Sequence, residues 1–159
     1  MRSAAKLLVS AFVLICCAST VAESQAGMPA ARRDSILAAV RAYVDAGNRV
    51  DVQTMIDAYS KSPSVSSAGL GDIRRGWDAI RAQADSLAGM EGLMRISLGA
   101  VDVTPLGASH ALAVSAVVVR VETEGGPVQR RGAVSIILER VAGSWKILHD
   151  HFSLPLPEG

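Results

Sequence analysis

Apolar residues recur at three- and four-residue spacing through Ile36, Leu37, Val40, Tyr43 and Val44. This predicts an amphipathic helix with Asp34 as N-cap and an end near Gly47 and Asn48. A second, short helix is expected from Asp51, with Val52, Met55, Ile56 and Tyr59 on one face, and Pro63 stops it. Ser64 to Ser67 reads as a short strand, 68–72 as a turn, and Gly76 opens a third helix from Trp77 to about Leu87. From Leu93 the pattern lengthens into strands: Leu93 to Val103, Ala111 to Glu122, Val128 to Val141, and Trp145 to Leu154. Helices followed by antiparallel strands predict an α+β fold with three N-terminal helices covering one face of the sheet.

The turns suggest a register for the last three strands. Pairing Thr123 with Val128 and Val141 with Ser144 separates two faces. The face expected under the helices carries Trp145, Ile147, His149, His151 and Ser153 with Leu138, Ile136, Val134, Ala113, Val117 and Val119. The opposite face mixes Leu148, Phe152, Ile137, Val114 and Val118 with Lys146, Asp150, Glu139, Arg131 and Arg120. A half-apolar outer face of this kind suits a homodimer interface. The register also sets Arg120 opposite Arg131, an unfavourable like-charge pair that a bulge could relieve.

The first residues change the compartment. Arg2 and Lys6 precede an uncharged apolar run from Leu7 to Ala18, with small residues at Thr20 and Ala22, as in a secretory signal peptide over 1–22. The run is shorter than the roughly 20 apolar residues a membrane span needs, so no membrane span is expected after cleavage. Cleavage is expected after Ala22, with Ala26 as second choice; Cys16 and Cys17 at the end of the run leave a lipoprotein as the alternative. A periplasmic or secreted domain would then occupy 34–156, preceded by a tether over 23–33. Both cysteines fall in the leader, so the mature chain would hold no disulfide, thiol nucleophile or thiolate ligand. Taking Arg2 and Lys6 from the 16 basic residues leaves 14 against 15 acidic ones, without a basic block, which argues against nucleic acid as a partner.

Three groups of side chains could carry chemistry. His149 and His151 sit two apart on a strand, roughly 6 to 7 Å between alpha carbons, and on one face they could act as general acid or base. A metal is not expected, because no third ligand converges and His110 lies towards the other end of the strands. Tyr43 and Tyr59 lie on otherwise apolar helix faces, so their hydroxyls need partners, whether structural or in a ligand pocket. Trp77 and Trp145 suit pinning of the third helix to the sheet, and Arg74 and Arg75 could guard a pocket mouth or form a solvated turn.

The segment from Ala42 to Asn48 followed by Asp51, the helix start Gly76-Trp77-Asp78-Ala79-Ile80, and the terminal run from Trp145 to Pro155 together resemble the SnoaL-like branch of the NTF2-like superfamily. The resemblance implies a cystatin-like cone: a curved antiparallel sheet wrapped on a long helix, with a pocket inside and frequent dimerisation through the sheet. Its members include small-molecule isomerases, cyclases and hydratases and many with no known activity, so fold does not name the reaction. Against the steroid isomerases of the superfamily, Tyr43 matches the tyrosine that stabilises an enolate, whereas Ser67 falls where their aspartate base stands. The expectation is a small organic ligand, bound without cofactor, in a pocket with His149, His151 and Tyr43 as catalytic candidates and Tyr59, Trp77, Ser67 and Ser153 in its wall. The alternative is a dimerisation or docking module whose pocket is a filled remnant.

Overall fold

A computed structural model describes residues 27–69, 71–89 and 91–155; the expected leader, its expected cleavage points and Cys16 and Cys17 lie outside the described residues. Helix α1 is Ala30–Asn48, beginning ahead of the expected Asp34. Ala30, Ala31, Arg32 and Arg33 are strong helix formers, and the Pro29 carbonyl accepts from the backbone N–H groups of Arg32 and Arg33. Residues 30–33 therefore belong to the helix and not to a tether. Its first turn is docked, because Arg32 Nη2 donates to the carbonyls of Gly107 at 2.8 Å and His110 at 3.1 Å. At the other end Asn48 exchanges two hydrogen bonds with the Ile96 backbone, at 2.8 and 2.7 Å, and so covers part of a sheet edge.

Helix α2, Val52–Ala58, is capped as expected: Asp51 Oδ1 accepts from Thr54 N at 3.1 Å. Strands β1, Ser66–Gly69, and β2, Asp72–Arg75, form a small hairpin where only one strand and a turn are expected from the sequence. Helix α3 follows at Trp77–Asp85. Then come β3, Met94–Pro105, β4, His110–Val121, β5, Val128–Val141, and β6, Ser144–Ser153.

The six strands form one curved, unclosed sheet in the order β2-β1-β6-β5-β4-β3, antiparallel throughout except that β1 runs parallel to β6. The helices pack on one face over a core that includes Ile36, Val40, Ile80, Val117, Ile136 and Leu138. Trp145 joins this core through α1, its Nε1 donating to Ser35 Oγ at 3.0 Å, and not through α3.

Two register details decide which side chains face the helices. Between β4 and β5, Val128 pairs with Val121, two residues from the expected Thr123. A shift of two preserves every face, and it sets Arg120 opposite Gln129, removing the like-charge pair with Arg131. Between β5 and β6, Val141 pairs with Ser144 as expected, but Leu138 pairs with Ile147 while Ile137 pairs with His149. Leu148 is thus an extra residue on β6, a β-bulge. Because strand side chains alternate, one added residue reverses all those beyond it. Asp150 and Phe152 turn towards the helices, while His149, His151 and Ser153 turn outward, the reverse of the assignment made from strict alternation.

Candidate functional site

Two tyrosines and one strand aspartate meet beneath α1. Tyr43 comes from the apolar face of α1, Tyr59 follows the last turn of α2 in extended backbone, and Asp150 enters from β6 just past the bulge. The tyrosine rings meet edge to face, centroids 5.5 Å apart at 87°. Their hydroxyl oxygens are 2.7 Å apart. Tyr59 donates to Asp150 Oδ1 at 3.0 Å, and Tyr43 Oη lies 3.5 Å from Asp150 Oδ2. Ser67 is paired beside Asp150 across β1 and β6, its hydroxyl near enough to the same carboxyl group to favour the ionised form.

Asp150 is 1% exposed. Burial raises its pKa, opposed by the hydrogen bonds from Ser67 and Tyr59, the charge of His149 and the hydrogen bond from Tyr43. Burial likewise pushes both tyrosines well above the ordinary phenol value, helped at Tyr43 by Asp150 and at Tyr59 by Tyr43 and Asp150. Both phenols therefore stay protonated at neutral pH, leaving the carboxyl as the group able to exchange a proton there.

This cluster lines a cavity of about 250 Å³ whose walls are mostly apolar, with Val44, Met55, Ile80, Ile96 and Phe152 among them. Of the residues expected in a pocket, Tyr43, Tyr59 and Ser67 line it. His149, His151, Trp77 and Ser153 do not. The bulge carries His149 to the outer face, where its Nδ1 meets Ser66 Oγ at 2.8 Å, and leaves His151 and Ser153 exposed there. Trp77 is held between the cations of Lys61 and Arg81, each 5.3 Å from its ring centroid. On the outer face neither histidine reaches the cavity, so neither can act as its acid or base.

Asp150 escaped the sequence reading, although its signal was present. Apolar positions fall on odd numbers at Trp145 and Ile147 and on even numbers at Leu148, Phe152 and Leu154. That change of phase marks an inserted residue. Among the described residues no group of three or more His, Cys, Asp or Glu is placed to hold a metal ion.

Three helices on one face of a curved, unclosed sheet are the NTF2-like, cystatin-like fold. The model of the SnoaL-like domain matches residues 36–157, and the chain belongs to that family. Its fold is similar to that of a candidate dehydratase of the NTF2-like family from Streptomyces avermitilis (TM-score 0.72, 16% identity, covering 81% of this chain and 99% of that one). It is similar also to an NTF2-like protein of unknown function from Shewanella oneidensis (TM-score 0.63, 20% identity, 77% and 98% covered). The association domain of C. elegans CaMKII shares the fold as well (TM-score 0.66, 18% identity, 77% and 95% covered). No curated protein matches the sequence.

Proposed function

We propose that the domain binds a small organic molecule in this pocket and transfers a proton on it without a cofactor, in the manner of an isomerase, cyclase or hydratase, with Asp150 as the acid/base group. The observation that carries the reading is a carboxyl group buried to 1% exposure beside an apolar cavity and held by two tyrosine hydroxyls. Burying such a group costs stability that a purely structural core would avoid, and a raised pKa brings a carboxylate closer to a general base working near neutrality.

The hydroxyl pair gives the site a polarity that follows its charge. With Asp150 ionised, Tyr59 donates to it, and Tyr43 gives its single hydrogen to Tyr59 at 2.7 Å over the 3.5 Å contact with Asp150 Oδ2, so Tyr43 offers lone pairs towards a ligand. Once Asp150 has taken a proton it can donate to Tyr59, Tyr59 to Tyr43, and the Tyr43 hydroxyl is released to donate to an oxygen that has gained negative charge. Abstracting the proton and stabilising the resulting oxyanion are thus two ends of one hydrogen-bond chain.

The test is identification by mass spectrometry of whatever copurifies, followed by exchange of its carbon-bound protons in D₂O. Asp150→Asn should keep the ligand and slow exchange at least about 100-fold, and Tyr43→Phe should slow it less. Exchange at the wild-type rate in Asp150→Asn overturns the reading.

A second reading, dimerisation or docking through the outer sheet face, is favoured by Leu112, Val114, Val118 and Ile137 on that face, with Val114 37% exposed. The two readings are compatible, since pocket and outer face lie on opposite sides of the sheet. From the charged start and apolar run we further propose that the domain works in the periplasm or outside the cell. A mature protein beginning near Glu23 agrees with export, and one that retains Met1 refutes it.

A further inference from the structure

The cavity has a second polar pole that proton transfer leaves unused. On β1, Ser67 pairs with Asp150 of β6 on one side and with Arg74 of β2 on the other. The three residues form a row across adjacent strands on the helix-covered face, and all line the cavity. At about 4.8 Å between strands, the backbones of Asp150 and Arg74 lie roughly 10 Å apart. The Arg74 side chain is 23% exposed and pairs at 3.0 Å with Asp72, whose own side chain is 64% exposed. A pair with one well-solvated member is worth about 0–1 kcal/mol, so Asp72 orients the guanidinium without occupying it, and most of its five N–H donors remain for a ligand.

We infer that the pocket selects an amphiphilic monoanion: a carboxylate held by Arg74, an apolar body against the cavity wall, and a carbonyl or hydroxyl at the Tyr43 and Asp150 end. This inference rests on the reading above that the pocket holds a ligand. Charge sets the direction of binding, because an ionised Asp150 repels an anion at its end while Arg74 attracts one at the other. Volume sets the size. A cavity of about 250 Å³ falls just under the usual range of ligand pockets, which starts at roughly 300 Å³, so it suits a molecule with a single ring or a short chain.

The experiment compares 3-(4-hydroxyphenyl)propanoate with its neutral methyl ester, titrated calorimetrically into the wild type, Arg74→Gln and Arg74→Lys. The wild type should bind the acid at least about tenfold tighter than the ester, as a charge-assisted contact requires. Arg74→Gln should erase that preference and Arg74→Lys should keep part of it. Within the wild type alone, raising salt from about 50 to about 500 mM should weaken the acid and leave the ester unchanged, a readout that depends on no variant. Equal binding of acid and ester, or a preference that survives Arg74→Gln, overturns the anion pole and leaves the ligand pocket standing. Failure of the wild type to bind either compound counts against both.

Discussion

At the scale of single residues, Asp150 is where function and stability pull in opposite directions. Its pKa is raised in the folded protein, chiefly by burial. A carboxyl group shifted in this direction favours the folded state when protonated. Its contribution is fully present below the unfolded value near 4 and is lost as pH rises through the folded value. Asp150→Asn, which keeps the shape and an acceptor for Tyr59, should therefore be more stable than the wild type at pH 7, by about 1 kcal/mol. Denaturant melts taken across pH check this: the advantage should shrink as pH falls and vanish by about pH 3. A variant whose destabilisation grows as pH rises would mean that the carboxylate is a net structural asset. Tyr43 and Tyr59 were legible as candidates because polar groups on apolar positions must find partners, and Ser67 because it falls where the steroid isomerases carry their aspartate base. Asp150, their shared partner, was missed although the change of apolar phase after Ile147 signals it, because strict alternation from Trp145 puts it on the outer face and strand pairing fixes where the extra residue lies.

At the scale of elements, the end of β6 positions the site, and Gly132 on β5 makes room for it. A Cβ at Gly132 would collide with the Ser153 carbonyl oxygen and come within 2.7 Å of Leu154 Cδ2. Backbone cannot yield as a flexible side chain would, so Gly132→Ala should cost about 1–3 kcal/mol. Leu154 also lines the cavity, so the variant should release ligand faster as well. Chemical denaturation and ligand retention on the same preparation measure the two effects; an unchanged midpoint would contradict the close approach. The helices were foreseen more fully than the sheet. Asp51 caps α2 as its side chain dictates, and the start of α1 moved most, because Ala30 to Arg33 extend the helix back to Pro29, while α2 stops at Ala58, short of Tyr59, and α3 at Asp85. The β1–β2 hairpin was missed because its strands have four residues each, too few to display a period.

At the scale of the whole molecule, the helices cover one face of the sheet and leave the other to water or a partner. The outer face now reads differently from the sequence expectation, having lost Phe152 and Asp150 to the pocket side and gained His149 and His151. Its apolar centre is retained in Leu112, Val114, Val118 and Ile137. A homodimer across it predicts that sedimentation at micromolar concentration gives twice the chain mass, and that Val114→Glu gives a monomer while ligand binding on the opposite side persists. A wild-type monomer under those conditions rules the dimer out. Among the described residues no helix is long and apolar enough to cross a membrane.

From the sequence by itself came the α+β layout, the three helices, the four long strands, the turn that pairs Val141 with Ser144, and three of the pocket residues. Apart from Ser67, which came from the family resemblance, these rest on local physics: helix periodicity, side-chain caps, and turn residues act over a few positions and need no distant partner. The tertiary structure alone decided the bulge at Leu148 and hence which of His149, Asp150 and His151 faces the cavity. That choice is made by hydrogen bonds between segments far apart in the chain. Ser60 N donates to the Ile147 carbonyl at 2.8 Å, and β1 pairs with β6 from Ser66 and His149 onward. A strand's period is written in its own residues, whereas its phase against the core is set by the neighbours that bond to it.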